Sequence, residues 1–114
     1  MRSINWYFRL VRIKMPVKIP DKWKKIVRNI LMAVDYDNIA IRNRVRLDWD
    51  ATFPHSFSCD LFLSIGNELK DPDIEGMKKE MKESGETYEF FFHHENRKIY
   101  TKICLSPDEQ DIIT

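Results

Sequence analysis

The 114-residue sequence has only three glycines, five prolines and two cysteines. So few chain breakers exclude a linker-rich or low-complexity chain. Two cysteines cannot build a disulfide framework. Cys59 and Cys104 belong to no CxxC pair and lie within apolar runs. A thiol in such a run usually acts as a small buried hydrophobe, so a reducing compartment is expected. No apolar stretch approaches the roughly 20 residues of a membrane span. Arg2, Arg9, Arg12 and Lys14 interrupt the apolar residues of the N-terminal segment, so no signal peptide is expected and the expected location is cytoplasmic. Also missing are a glycine-rich phosphate loop, a G-x-S-x-G elbow and an H-E-x-x-H pair.

What is present fits one folded domain. Hydrophobic residues make up 43% of the chain and charged residues 32%, which argues against disorder. The net charge of +1 conceals a division. Residues 1–46 carry 12 Lys/Arg against Asp21, Asp35 and Asp37, whereas residues 47–114 carry 7 Lys/Arg against 15 Asp/Glu. A strongly basic half suggests an anionic partner, unless the two halves neutralise each other in the fold.

The clearest element is a helix over residues 21–34. Trp23, Ile26, Val27, Ile30, Leu31 and Val34 form an apolar stripe at helical spacing, with Lys22, Lys24, Lys25 and Arg28 outside it and Asp21 as the expected N-cap. Residues 4–14 read as a strand with a bulge. Residues 39–49 alternate, with Ile39, Ile41, Val45, Leu47 and Trp49 on one face and Arg42, Arg44 and Arg46 on the other. Residues 57–65 alternate in the same way, which predicts a hairpin with the preceding strand. Asp71-Pro72 resembles a helix start, with Gly85 as the stop. Residues 86–93 and 97–105 read as strands around a short turn. Ser106 to Glu109 has the form of a capping box, which predicts a short final helix. The expected architecture is therefore a single α+β domain over 1–114, with a ferredoxin-like βαββαβ order, two helices on one face of an antiparallel sheet and one extra C-terminal strand.

In that arrangement Arg42, Arg44 and Arg46 form a ladder on the open sheet face. Lys98, Tyr100 and Lys102 form a second ladder, with Phe62 beside them and Lys24, Lys25 and Arg28 on a basic helix surface. Cations for phosphate and exposed rings for bases suit RNA or single-stranded DNA. The aromatic-rich K/R-G-F/Y motif of RNA-recognition sheets is absent from residues 57–62, so element order alone carries no function. A metal-independent ribonuclease or toxin-type enzyme is the second reading. It rests on His93, His94, Arg97, Tyr100 and Lys102 gathering near one hairpin, since these types can supply acid, base and cationic stabilisation. The third is an inhibitor, adaptor or homodimer that extends its sheet at an exposed strand edge. Membrane contact by the aromatic–basic N-terminal stretch is disfavoured, because a core needs most of those rings. His55, Cys59 and Cys104 lack zinc spacing, and the acidic residues 68–75 do not follow a calcium loop, so neither metal nor cofactor is expected.

Overall fold

The computed structural model describes residues 16–33, 36–79 and 85–114. Among these residues nine elements follow one another: β1 (Val17–Lys18), α1 (Asp21–Leu31), β2 (Ile39–Ala40), α2 (Asn43–Thr52), α3 (Ser58–Glu68), β3 (Glu75–Lys79), β4 (Glu86–His94), β5 (Arg97–Leu105) and β6 (Ile112–Ile113). The six strands form one sheet in the order β1-β3-β4-β5-β6-β2. All neighbours are antiparallel except β2 and β6, which run parallel. The class is α+β, with a mixed sheet and three helices among the described residues. The described residues do not show the ferredoxin-like order, and the strand expected over 4–14 lies outside them.

The helix α1 forms where its stripe predicts, and Trp23, Val27 and Leu31 are fully buried. Its N-cap is Pro20. Asp21 is the first helical residue, 3.2 Å from the Lys24 ammonium. The helix ends at Leu31, earlier than the expected 34.

The two strands expected over 39–49 and 57–65 are largely helices. Only Ile39 and Ala40 extend into the sheet. In the first segment Ile41, Val45, Trp49 and Phe53 are four residues apart, a spacing shared by alternation and by one helix face. Trp49 and Phe53 are buried, but Leu47, which fits only the strand pattern, is 68% exposed. In α3 the buried residues are Leu61, Phe62, Ile65 and Gly66, and Leu69 follows them. Phe62 and Leu61 are adjacent, which no half-buried strand would bury together. The Asp60 carboxylate accepts the Phe57 N–H at 2.8 Å and so stabilises the start of α3.

The helix expected from Asp71 to Gly85 does not form over its described residues 71–79. Asp71 instead accepts the Asp73 N–H at 2.9 Å in a local turn, and β3 begins at Glu75. Gly76 explains why no larger residue sits there. A Cβ would stand 2.5 Å from the Glu89 carbonyl oxygen and 2.9 Å from Ile19 Cδ1. Nor does a final helix form at Ser106. Its hydroxyl donates to Asp108 and accepts from the Asp111 N–H, closing a loop into β6.

The central hairpin is as the sequence indicates. Glu95 and Asn96 both have positive φ, 50° and 63°, the geometry of a two-residue turn whose twist matches the strands. It fixes a register from His94↔Arg97 to Glu86↔Leu105. Tyr88, Phe90 and Phe92 on β4, with Ile103 and Leu105 on β5, point to one side and are buried. The Trp23 ring packs edge-on against Tyr88 at 5.1 Å and Phe90 at 6.2 Å. Phe53, just past α2, meets His94 at 4.7 Å, and Ser64 of α3 bonds the same imidazole. All three helices therefore lie on the face of Tyr88, Phe90 and His94. No described helix is long and apolar enough to cross a membrane.

Candidate functional site

The opposite sheet face carries Glu89, Phe91 and His93 of β4 and Lys98, Tyr100 and Lys102 of β5, by the alternation of the two strands. Phe91 and Tyr100 are direct cross-strand partners, with ring centroids 6.2 Å apart at 71°. They are 50% and 51% exposed. The Lys98 ammonium sits over the Phe91 ring, 4.7 Å from its centroid. The Tyr100 hydroxyl donates to Glu89, whose other carboxylate oxygen is 3.0 Å from the Lys79 ammonium. A shallow hollow of about 320 Å³ lies on this face, lined in part by Pro16, Met77, Phe91 and Tyr100.

A second recess runs between α2 and the edge of β5. This cleft has a volume of about 610 Å³. Arg42, Arg44, Val45, Asp48 and Trp49 form one wall, and residues 99–102 form the other. Tyr100 thus borders both recesses, whereas Lys102 lines only the second.

The expected binding residues divide sharply. The ladder of Arg42, Arg44 and Arg46 does not exist, because helix geometry sets Arg44 and Arg46 about 200° apart around α2. Arg42 and Arg44 do line the cleft with Tyr100 and Lys102, whereas Arg46 does not. Phe62 is 3% exposed and packs on Trp49 and Tyr36, so it is a core residue and not a platform. Lys24 is 3% exposed, and its ammonium donates to the carbonyls of Asp71 at 3.0 Å and Pro72 at 3.4 Å. Arg28 donates to the Leu69 carbonyl at 3.3 Å. These two cations hold the chain just beyond α3, where carbonyls lack helical partners. Lys25 alone of that trio is exposed.

The five candidate acid–base residues divide between the two faces, with His93, Tyr100 and Lys102 on the side opposite the described helices and His94 and Arg97 on the helix side. His93 and His94 fall on opposite faces. The His93 imidazole Nδ1 lies 2.8 Å from Glu68 Oε1, which also accepts the His93 backbone N–H at 3.0 Å. His94 is enclosed on the helix side, with Ser56 Oγ 3.0 Å from Nε2 and Ser64 Oγ 2.7 Å from Nδ1. Arg97 pairs with His94 at the turn, at the far end of the strand from Lys102. No group of three or more His, Cys, Asp or Glu among the described residues is placed to hold a metal ion.

Phe91 is the site residue that sequence reasoning missed. A signal for it was present. A two-residue turn at 95–96 pairs residue 91 with residue 100, and the parity of Tyr88, Phe90 and Phe92 turns Phe91 the other way. The chain matches no protein-family model, and neither a curated protein nor a solved structure matches it.

Proposed function

We propose that the protein binds single-stranded nucleic acid, RNA or DNA, on the sheet face opposite the described helices. The observation that carries this reading is the half-exposed Phe91–Tyr100 pair beside Lys98 and Lys102. Ring faces stack on bases of any sequence, and lysines beside them meet the phosphates. Arg42 and Arg44 extend the positive surface around the edge of β5. Such a platform selects single strands, because the bases of a duplex are already stacked and their faces are hidden.

The test is oligo(dT) and oligo(U) binding by fluorescence anisotropy across a salt series. Four phosphate contacts, at Arg42, Arg44, Lys98 and Lys102, correspond to a log–log salt slope of about −3 for a single strand. Phe91→Ala and Tyr100→Ala should each weaken binding by about 5- to 150-fold, the usual worth of one stacked base. Arg46→Ala and Lys25→Ala should change it far less. No binding at low salt, or binding indifferent to Phe91, would remove the proposal.

A further inference from the structure

The strand β5 has nine residues, but β6 covers only two of them, pairing Cys104 with Ile113 and Leu105 with Ile112. The direction of the remaining backbone groups follows from the ladder. The tight turn makes His94↔Arg97 a hydrogen-bonded pair, so odd residues of β5 bond to β4. On the other edge, Ser106 N–H donates to the Asp111 carbonyl at 2.9 Å, which sets even residues toward β6. The N–H and C=O groups of Lys98, Tyr100 and Lys102 face the cleft beside α2, with no strand partner among the described residues.

We infer that this cleft takes an extended acidic peptide, which adds to the sheet as a strand antiparallel to β5, end to end with β6. Three features specify the occupant. The exposed edge offers alternating donors and acceptors over about 14 Å between residues 98 and 102, the repeat of another strand. Phosphate groups are acceptors only, and would leave the edge carbonyls unmatched. The charge favours an acidic peptide, because Arg44 and Lys102 line the cleft beside one carboxylate side chain, Asp48. The alternation then sets the sequence pattern. Peptide residues opposite Lys102 and Lys98 share their face and favour Glu or Asp, since opposite charges pair directly across strands. Residues opposite Thr101 and Ile99 turn inward toward Val45 and Trp49 and favour small apolar side chains. Strand order continues the fold already present, because β6 itself enters this edge with Ile112 buried.

The inference does not rest on nucleic-acid binding, although Tyr100 and Lys102 border both surfaces. The test uses the full chain and an N-acetylated, fluorescein-labelled peptide containing Glu-Val-Glu-Val-Glu. Two N-methylated versions are compared with it, one modified at the three Glu and one at the two Val. Strand addition places the Glu backbone against β5, so methylation there should weaken binding at least tenfold. Methylation at Val should cost under threefold. Amide exchange at Lys98, Tyr100 and Lys102 should slow when the unmodified peptide binds. Equal sensitivity to both methylation patterns, or no slowing at those amides, would overturn the inference. So would an oligo(dT) of equal charge that protects the same three amides more strongly than the peptide does, because the cleft would then be a general polyanion site. Phe91→Ala, which should impair oligonucleotide binding, should leave peptide binding within threefold.

Discussion

A buried ammonium must be met by acceptors, and Lys24 is met by two backbone carbonyls and Asp21. Its place beside the apolar stripe of α1 was legible, but its task was not, because charge alone does not say whether a lysine faces water or a distant turn. Tyr88 makes the complementary case at the same scale. Burial, with the Glu86 carboxylate accepting the phenol proton at 3.0 Å, pushes its hydroxyl from about 10 up to about 12. The folded state thus holds the neutral phenol more tightly than the unfolded chain does. That contribution is complete below pH 10 and is lost as pH rises toward 12. In urea titrations at rising pH, wild type should lose stability relative to Tyr88→Phe across that interval. The tyrosinate absorbance of the folded protein should lose its highest-pH phase in the variant. A constant difference between the two proteins across the interval would mean that Tyr88 titrates alike in both states.

Among the elements, α1 and the β4–β5 hairpin were legible because their patterns admit one reading. The stripe of α1 uses both three- and four-residue steps, which alternation cannot mimic. The hairpin combines β-branched and aromatic residues with a turn that fixes its register. In α2, the shared four-residue step of Ile41, Val45 and Trp49 left the choice to Leu47, an exposed leucine that imitated a strand. In α3, Leu63 and Phe57 did the same, at 48% and 76% exposed. The Arg42, Arg44 and Arg46 ladder requires a strand where α2 stands, whereas Lys98, Tyr100 and Lys102 share a face because β5 is a strand. The turn also carries a prediction. Asn96 sits at φ 63° in the second central position, where glycine meets no Cβ clash. Asn96→Gly relieves the positive-φ cost but adds chain entropy to the unfolded state, so it should stabilise the protein by less than about 1 kcal/mol, read as a higher urea midpoint at unchanged slope. A lower midpoint would show that the asparagine side chain holds the turn.

Across the whole molecule, the long hairpin and the short outer strands differ in how they are held. The strands β4 and β5 pair over nine residues each, with Tyr88, Phe90, Phe92 and Ile103 beneath the helices. In contrast, β1, β2 and β6 contribute two residues each. Opening β6 and β2 breaks few backbone bonds, chiefly Ile112 N–H to Asn38 and Thr114 N–H to Ala40. Ile112 must then leave the core, where it is 1% exposed, so the opening is uphill but smaller than global unfolding. The charge division has a similar spatial logic. Lys18 and Lys22 of the basic half reach Asp73 and Glu109 of the acidic half at 4.0 Å and 3.3 Å. These are exposed pairs of small energetic weight, so they do not tie the outer strands down. Native-state hydrogen exchange should therefore resolve two levels. Amides of Phe90, Phe92 and Ile103 should exchange only by global unfolding, at the free energy found from urea. Those of Ile112 and Thr114 should exchange through a local opening with a weaker urea dependence, because less surface is exposed. Ile112→Ala should speed exchange at Thr114 far more than at Phe92. If all five amides merge on one isotherm, the sheet is a single cooperative unit, and the edge of β5 beyond Lys102 stays closed until the whole protein unfolds.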